Sequence, residues 1–359
     1  GSKKLSESTS VRITQLASRV PTLPNTSTDK HPMKVVIIFR QRRPGCHSIE
    51  ELFHAVAGEL AEHVEVIKYE AGSRWLVLFD AWQLRKLKAD IYHVTAAINY
   101  MVLLLPRKKT VLTVPDIGNY LFELKSIKRW IYKWLWLILP IRAARVVTAI
   151  SEETRRNIVK HLHVAGNRCV EIIECCHSAI LKPVTKPFAK ECPVILQVGT
   201  SPYKNVPRLV EALKGLRCHL VLIGSLDNET KQKLAECEVS YENHVGVTHE
   251  EVYKRYLECD IVSFVSMGEG FGVPIIEAQA VGRPLITADV SPLCDVAGEG
   301  ACLADPLNVS QIRAGIQRII GDEAYRNQII ECGFRNVSRY SPATISGQYL
   351  ALYKKLTLT

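Results

Sequence analysis

The sequence lacks three patterns that would each indicate a class of protein. It contains no D-x-D pair, in which carboxylates would hold a diphosphate through a metal ion. None of its 11 cysteines has C-x-x-C spacing, so neither a zinc site nor a redox pair is indicated. The longest apolar run near the middle, residues 134–141, is far short of the ~20 residues that a membrane span needs. We therefore expect a cytoplasmic protein with free thiols and no bound metal or cofactor.

Length and composition point to two globular domains after a leader. A chain of 359 residues is long for one core, and its 47% hydrophobic and 23% charged content is ordinary for a folded protein. Residues 1–32 are rich in Ser and Thr and only weakly apolar, so we expect a flexible leader or linker there. Such a leader is compatible with a larger natural protein that has further domains.

Positive charge is concentrated in the first half of the chain. Residues 1–187 hold 29 Lys and Arg against 16 Asp and Glu, a net of +13, whereas residues 188–359 hold 17 against 20, a net of −3. This asymmetry predicts two domains with different partners. The basic half should attract anions, such as phosphate groups, an anionic membrane face or nucleic acid.

Strand-like and helix-like segments alternate through the chain in two runs. The first run begins with the apolar strand 33–39 and the second with the strand 193–199. Such alternation predicts an α/β protein with parallel, doubly wound sheets. We expect Rossmann-like domains over residues 33–185 and 186–340, and a C-terminal helix in 341–359 that crosses back to the first domain. Ligands of these sheets bind beyond the carboxyl ends of the strands, so facing domains would share a cleft.

Three segments of the second run allow more specific predictions. H-V-G-V-T predicts a short strand over residues 244–248, and the residues after it predict a helix over 249–258. V-P-I-I-E-A-Q-A-V-G predicts a helix that ends at Gly282, because glycine tolerates the left-handed conformation common at helix ends.

A glycine-rich loop and two acids, Glu269 and Glu277, follow a strand predicted over residues 260–266. The loop M-G-E-G-F-G lets a ligand approach the backbone closely, and amides at the start of the next helix favour an anion. Glu277 falls about one turn into an otherwise apolar helix, where a carboxylate can accept hydrogen bonds from vicinal hydroxyls. The alternative is a tight turn and a buried acid that is hydrogen-bonded for structural reasons.

This segment resembles a known signature. E-G-F-G-x-P-x-x-E-A is similar to the motif of retaining GT-B glycosyltransferases, in particular glycosyltransferase family 4. The likeness covers roughly residues 33–355 and is strongest over 194–306. V-G-T-S-P-Y-K-N-V-P-R-L-V-E-A-L, residues 198–213, resembles the family's phosphate-binding strand, loop and helix. V-L-I-G-S, residues 221–225, resembles its nucleotide-proximal strand and turn.

The resemblance implies a donor-binding role for each matching residue. Glu277 would bind the ribose of a nucleotide-diphospho-sugar. The donor sugar's hydroxyls and the diphosphate would be held by Glu269 with the three residues that follow it, Gly270, Phe271 and Gly272. Lys204 would neutralise the diphosphate as it leaves, because charge that develops in the reaction is stabilised by a preorganised cation. A solvated lysine at a helix start is the alternative reading of Lys204.

The two turns that resemble the phosphate-binding and nucleotide-proximal turns would add Gly199, Thr200 and Gly224 to the nucleotide site. Thr200 is a departure, since many relatives have an Arg directly after the glycine. The second cation would then be missing or would come from the N-terminal half. A further departure is Pro115, which stands where related enzymes often have a histidine that touches the donor sugar.

Asp116 follows the strand predicted over residues 109–114. It could orient the acceptor hydroxyl, and we count it with Glu269 and Lys204 as a catalytic candidate. An Asx turn is an equally plausible role, because Asp side chains commonly accept from the backbone two residues on.

The N-terminal loop over residues 39–51 is a second candidate ligand loop. It contains Gly45 in a Pro-Gly turn, and we expect this loop to close over the donor. Arg40, Arg42 and Arg43 could contact the diphosphate or an acidic acceptor, and one of them could replace the missing cation. A solvated basic loop is the alternative.

Residues 123–145 combine six basic residues with three tryptophans. This composition is typical of a surface helix on an anionic bilayer, which would place the protein peripherally at the inner face of the cytoplasmic membrane. The alternative is a helix that packs its tryptophans inward, since residues 134–141 are apolar on every face.

We therefore predict a metal-independent, retaining hexosyltransferase of the GT-B fold. Its partners would be a nucleotide-sugar donor and a glycan or polyprenyl-diphosphate-linked acceptor in the synthesis of a bacterial surface polysaccharide, such as O-antigen, capsule or lipopolysaccharide. The sequence does not specify the sugar or the base. The alternatives are a GT-B nucleotide-sugar epimerase and a non-catalytic basic module that binds membrane or nucleic acid. The intact set of Lys204, Glu269 and Glu277 argues against the module and against nucleic acid as a partner.

Overall fold

The computed structural model describes residues 13–16, 32–41, 48–72, 76–95, 98–118, 120, 126–162 and 170–358. The chain divides into two compact units. The N-terminal unit comprises Gly1–Cys175 together with Pro342–Thr359, and the C-terminal unit comprises Cys176–Ser341.

The N-terminal unit is a sheet with helices between its strands. Its strands are β1 Ile13–Leu16, β2 Lys34–Arg40, β3 Glu65–Ala71, β4 Ile91–Thr95, β5 Thr110–Val114, β6 Val146–Ala149 and β7 Val170–Ile172. Its helices are α1 Ser48–Leu60, α2 Val77–Lys86, α3 Ser126–Tyr132, α4 Leu139–Ala143 and α5 Glu152–Leu162, with 3-10 turns at Asn99–Leu104 and Arg107–Lys109 and a π-helical segment at Lys133–Ile138.

The strand order of this sheet is β1-β3-β2-β4-β5-β6-β7, and every pair except β1–β3 is parallel. The central residues of β2, V-V-I-I-F, are all buried because helices cover both faces of the sheet. This arrangement confirms the doubly wound architecture predicted for the first run.

The C-terminal unit repeats the architecture. Its strands are β8 Val194–Val198, β9 His219–Ile223, β10 Tyr241–His244, β11 Ile261–Phe264, β12 Leu285–Ala288 and β13 Cys302–Ala304. Its helices are α6 Val206–Leu213, α7 Asn228–Cys237, α8 His249–Glu258, α9 Val273–Val281, α10 Leu293–Ala297, α11 Val309–Gly321 and α12 Glu323–Val337, with 3-10 turns at Pro202–Lys204 and Ser338–Tyr340.

All pairs in this second sheet are parallel, in the order β10-β9-β8-β11-β12-β13. The chain moves outward from β8 to β10 and then returns to β11 on the other side of β8. The neighbouring strands β8 and β11 therefore form the topological switch point, where open α/β sheets bind ligands beyond their carboxyl ends.

The C-terminal helix α13, Pro342–Leu358, belongs to the N-terminal unit, where it packs against α1. Its Tyr353 hydroxyl lies 2.7 Å from Nδ1 of the fully buried His93 on β4. The other ring nitrogen of His93 lies 2.7 Å from Oγ1 of Thr113 on β5. The contact between Tyr353 and His93 fixes the helix to a strand that precedes it by about 260 residues in the chain.

The structure differs from the sequence predictions at three places. Four residues of the expected leader form β1, which pairs antiparallel with β3 at the sheet edge. The units divide at Cys175 because His177 and Val184 already hydrogen-bond to the C-terminal unit, to the carbonyls of Tyr340 and Val281. The predicted strand 244–248 is wrong: β10 ends at His244, since the backbone turns at Gly246 with a φ of +70°.

Candidate donor-binding site

Two loops meet at the switch point of the C-terminal sheet. One follows β8 and contains the turn Pro202–Lys204, and the other follows β11 and leads into α9. The amide of Met267 donates a hydrogen bond of 2.8 Å to the carbonyl of Tyr203, which joins the loops directly. Residues about 65 positions apart in the sequence thereby share one sheet edge.

Lys204 and Glu269 form an ion pair across these loops. The Lys204 Nζ lies 2.6 Å from Oε1 of Glu269, and their side chains are 13% and 14% exposed. The ammonium also lies 4.4 Å from the ring centroid of Phe264, on the face that attracts cations. A cation and an anion are thus held close together, largely out of water but with one side open to a ligand.

Asn205 positions this lysine. Its φ of +62° lies in the left-handed region, where Asn is among the few residues that are tolerated. Its buried side-chain amide donates to the carbonyls of Val265 (3.0 Å) and Pro306 (2.6 Å). Arg208 in turn donates to the Asn205 Oδ1 at 2.8 Å. Asn205 was not among the residues predicted from the sequence, because its partners Val265 and Pro306 lie 60 and 101 positions away in the chain.

Gly199 and Gly224 have no room for a side chain. A Cβ on Gly199, whose φ is +86°, would lie 2.8 Å from Cε of Lys204. A Cβ on Gly224, whose φ is +133°, would lie 2.5 Å from Oγ1 of Thr200. The Thr200 hydroxyl donates to the carbonyl of Ser225 at 2.7 Å and so ties the β8 loop to the turn after β9. The structure therefore brings these three predicted residues together around the base of Lys204.

The loop after β11 is anchored by Phe271. The ring is almost fully buried and meets the ring of Tyr340 edge-on, with centroids 5.6 Å apart. Phe271 can therefore offer a ligand only its main chain. Gly272 has a φ of +108° and directly precedes α9, whose first turn contains Pro274. Gly270 and Gly272 flank this anchor beside Glu269.

Glu277 is buried in α9, as are all its neighbours from Ile275 to Val281. Burial raises the pKa of this carboxyl to about 7, an effect that the nearby Tyr256 hydroxyl partly offsets. Burial and the adjacent Glu277 charge raise the pKa of Tyr256 on α8 well above its usual value. The Tyr256 hydroxyl faces Glu277 without the geometry of a full hydrogen bond to any described residue. The site thus contains a carboxyl that can gain or lose a proton near neutral pH.

A small cavity lies beyond the carboxyl ends of β9 and β10, on the same edge as Gly224. It encloses about 110 Å³ and is lined by Ile223, His244, Val247, Glu251, Lys254 and Arg255. The Gly224 amide donates to the carbonyl of His244 at 2.8 Å, so the cavity adjoins the turn that Thr200 contacts. No sequence motif indicates this cavity, because its lining comes from β9, β10 and α8 with the loop before α8.

The remaining candidates belong to the N-terminal unit. Asp116 is exposed after β5 and accepts a 2.8 Å hydrogen bond from the Gly118 amide, as an Asx turn does. Arg40 forms an ion pair with Glu50 in the first turn of α1. Gly45, Arg42 and Arg43 lie outside the described residues. Among the described residues, no group of three or more His, Cys, Asp or Glu could hold a metal ion.

The fold of this chain resembles those of proteins with known structures. The structure resembles sucrose-phosphate synthase of Thermosynechococcus elongatus with a TM-score of 0.70 and 17% identity, over 90% of this chain and 99% of that one. It also resembles Anabaena HepE in complex with UDP and glucose, with a TM-score of 0.69 and 16% identity, over 90% and 100%. These likenesses confirm the predicted GT-B fold.

Sequence comparison makes the assignment more specific. The family "Glycosyl transferases group 1" matches residues 182–335. The chain is 26% identical over 305 residues to O-antigen chain mannosyltransferase B of Escherichia coli, across 77% of each protein. It is 28% identical over 166 residues to the MMP alpha-(1->4)-mannosyltransferase of Mycolicibacterium hassiacum, across 43% of this chain and only 40% of that protein. Over residues 182–335 the chain is similar to this family of glycosyltransferases, in agreement with the predicted resemblance to family 4.

Proposed function

We propose that the protein is a retaining hexosyltransferase that uses a nucleotide-diphospho-sugar to extend a glycan or polyprenyl-diphosphate-linked glycan of a bacterial surface polysaccharide. The ion pair between Lys204 and Glu269 at the switch point carries this proposal. A largely buried cation beside glycine-rich backbone suits a diphosphate, and a carboxylate beside it suits sugar hydroxyls. The O-antigen mannosyltransferase among the relatives supports the pathway class and makes mannose the first sugar to test.

In this proposal the nucleotide lies along the carboxyl edge of the C-terminal sheet. The Glu277 carboxylate accepts hydrogen bonds from the ribose hydroxyls. The cavity beside His244 and Val247 takes the base. The turn containing Gly199 and Thr200 lies against the diphosphate, and the absence of a Cβ on Gly199 lets the Lys204 side chain pack against this turn.

The chemistry then needs few groups from the protein. The bond between the anomeric carbon and the diphosphate oxygen breaks, and the negative charge that appears on the leaving diphosphate is neutralised by Lys204. The acceptor oxygen bonds to the same face of the anomeric carbon, and its proton passes to the departing phosphate oxygen. Glu269 orients the sugar hydroxyls and shares Lys204 with the diphosphate. Configuration is retained without a covalent enzyme intermediate.

The acceptor is proposed to bind the basic N-terminal unit, where Asp116 would orient its hydroxyl. Because the sequence contains no D-x-D pair, transfer is proposed to proceed without a divalent metal ion.

A transfer assay tests this function. The protein is incubated with GDP-mannose or UDP-glucose and a mannosylated or polyprenyl-linked acceptor, in the presence of EDTA, and the anomeric configuration of the product is read by NMR. We expect one donor to give a product with the donor's configuration. An inverted product would contradict retention, and a requirement for Mg²⁺ would contradict metal independence. Isomerised donor without any transfer would replace the proposal with the epimerase.

Lys186 supplies a matched control for the active-site lysine. Its Nζ lies 2.6 Å from Oδ1 of Asp260, the same length as the Lys204–Glu269 pair. Asp260 accepts from the amide of Val194, so this pair lies at the amino edge of the sheet, opposite the proposed site. Lys204→Met should abolish most transfer by the folded enzyme, whereas Lys186→Met should lower stability without lowering the turnover of the folded fraction.

A further inference from the structure

The tryptophans of this protein are concentrated in one part of the N-terminal unit. All five lie between residues 75 and 136. Of those described, Trp82 on α2 and Trp130 on α3 are 52% and 60% exposed. Large aromatic side chains at such exposure leave apolar area in water, and a cluster of them marks an interaction surface.

The segment that contains α3 has two apolar faces. Tyr132, Trp136 and Leu137 pack towards the core of the unit. A second set points outward at helical spacing, with Ile127, Trp130, Ile131 and Leu135 all exposed. The most exposed of these, Ile127, is 66% accessible. The core therefore does not account for the outward stripe.

Helix α2 shows the same arrangement. Ala81 and Leu84 are buried, whereas Leu78, Phe79 and Trp82 are exposed, with Leu78 at 71%. The rings of Phe79 and Trp82 lie 6.0 Å apart and form one aromatic surface. A helix at the protein surface normally presents polar residues on this side.

The 3-10 turn Asn99–Leu104 contacts both segments. The Arg85 Nε on α2 donates to the carbonyl of Leu104 at 2.8 Å. At the other end of the same 3-10 turn, the Asn99 side chain donates to the carbonyl of Trp136 at 2.9 Å. The outward residues of α2 and of the α3 segment thus belong to neighbouring parts of one unit. We call these seven residues the tryptophan face: Leu78, Phe79, Trp82, Ile127, Trp130, Ile131 and Leu135.

The segments that contain the tryptophan face are rich in positive charge. Residues 98–145 contain nine Lys and Arg but only two acids. The single acid in residues 76–88, Asp80, is buried and accepts hydrogen bonds from the Tyr69 hydroxyl and the Gly72 amide. The Lys86 Nζ lies 3.3 Å from the ring centroid of Trp82, so cation and aromatic ring share the same surface.

We propose that the tryptophan face docks this protein on an anionic lipid bilayer. No described helix is long and apolar enough to cross a membrane, so the contact is peripheral. Tryptophan rings and aliphatic side chains would enter the interface between headgroups and acyl chains, while the surrounding Lys and Arg contact anionic headgroups. The proposal does not depend on the transfer reaction, because it involves none of the proposed donor-site residues.

Vesicle binding tests the proposal directly. The full chain is mixed with vesicles of phosphatidylcholine alone or with added phosphatidylglycerol, and co-sedimentation and tryptophan emission are measured at low and high salt. We expect binding that requires phosphatidylglycerol, weakens with salt and shifts the emission to the blue. Binding that is equal on both kinds of vesicle, or absent from both, would overturn the proposal.

Two variants distinguish binding through the tryptophan face from nonspecific binding through other exposed apolar residues. Trp82→Ser with Trp130→Ser should reduce partitioning to phosphatidylglycerol vesicles at least tenfold, with little change in melting temperature, since both side chains are exposed. Val159→Ser removes a 50% exposed apolar residue on α5, outside the face, and should bind as the wild type does. Equal loss in both variants would overturn the proposal. So would a dimer in solution that the double variant abolishes, because the face would then be a protein interface.

Discussion

The imidazole of His93 lies 2.7 Å from the hydroxyl of Tyr353, which follows it by 260 residues in the chain. The ring is fully buried between this tyrosine and Thr113. Burial lowers the pKa of His93 to about 3, so the imidazole is neutral in the folded protein. The C-terminal helix is therefore held by a hydrogen bond to a histidine that must stay uncharged.

The stability of the protein should consequently fall with acidity. Below pH 6.5 the unfolded chain protonates His93 and the folded protein does not, so protons favour unfolding down to about pH 3. At pH 5 this group alone should cost about 2 kcal/mol relative to pH 8. Urea titrations of the wild type and of His93→Gln at both pH values give the change in the free energy of unfolding between pH 5 and pH 8 for each protein. The difference between these two changes is the contribution of His93. Equal changes would show that His93 is protonated in the folded state.

The buried carboxyl of Glu277 should make nucleotide binding depend on pH. Its raised pKa of about 7 means that, in the protein without nucleotide, the Glu277 carboxyl is largely protonated at pH 6 and largely ionised at pH 8. If the carboxylate accepts hydrogen bonds from ribose, affinity rises with pH, by roughly tenfold across this range. Calorimetric titration of a nucleoside diphosphate measures the rise. Glu277→Gln should remove this rise of affinity with pH. The titration of the nucleotide's own phosphate affects binding to both proteins equally, so any difference between them is due to Glu277.

Tyr256→Phe tests what sets this pKa. The hydroxyl lowers the pKa of Glu277 against the larger effect of burial, so its removal should move the midpoint of the pH dependence to higher pH. Stability should change little or improve, because the hydroxyl is buried without a full hydrogen bond to any described residue. An unchanged midpoint would mean that Tyr256 does not act on the carboxyl.

Asn205 should be essential to the geometry around Lys204. Asn205→Ala removes two buried hydrogen bonds and places an alanine at a φ of +62°, at an expected loss of roughly 2–4 kcal/mol. Asn205→Gly keeps the backbone conformation and loses only the bonds, so it should destabilise less. Thermal melts rank the variants. If both melt like the wild type, the side chain does not support the loop.

The alternation of strands and helices was largely predictable because it depends on local pattern. Runs such as V-V-I-I-F specify buried parallel strands wherever they stand, and the helix over 249–258 agrees with α8. Strand β10 was misplaced because H-V-G-V-T shows strand-like alternation, whereas the polar Y-E-N-H pairs with β9. Backbone pairing there outweighs the side-chain pattern.

The donor site was predictable only as far as the family motif extends. Lys204, Glu269 and Glu277 lie in recognisable local sequences, and their roles remain predictions. The 2.6 Å contact between Lys204 and Glu269 arises from the strand order, as does the contact of Asn205 with Val265 and Pro306. No local pattern indicates which distant loops meet, so the support around the lysine and the cavity beside His244 could not be inferred.

The most direct test of the central claim is the binding of nucleoside diphosphates to the wild type and to Lys204→Met. Calorimetry with UDP, GDP, ADP and dTDP should find one base that binds, and Lys204→Met should weaken that binding roughly 10- to 150-fold, as expected for a lost charged hydrogen bond. Lys186→Met, which breaks an equally short ion pair at the opposite sheet edge, should bind like the wild type. If no diphosphate binds, or if Lys204→Met binds as tightly as the wild type, the donor site is not where we place it.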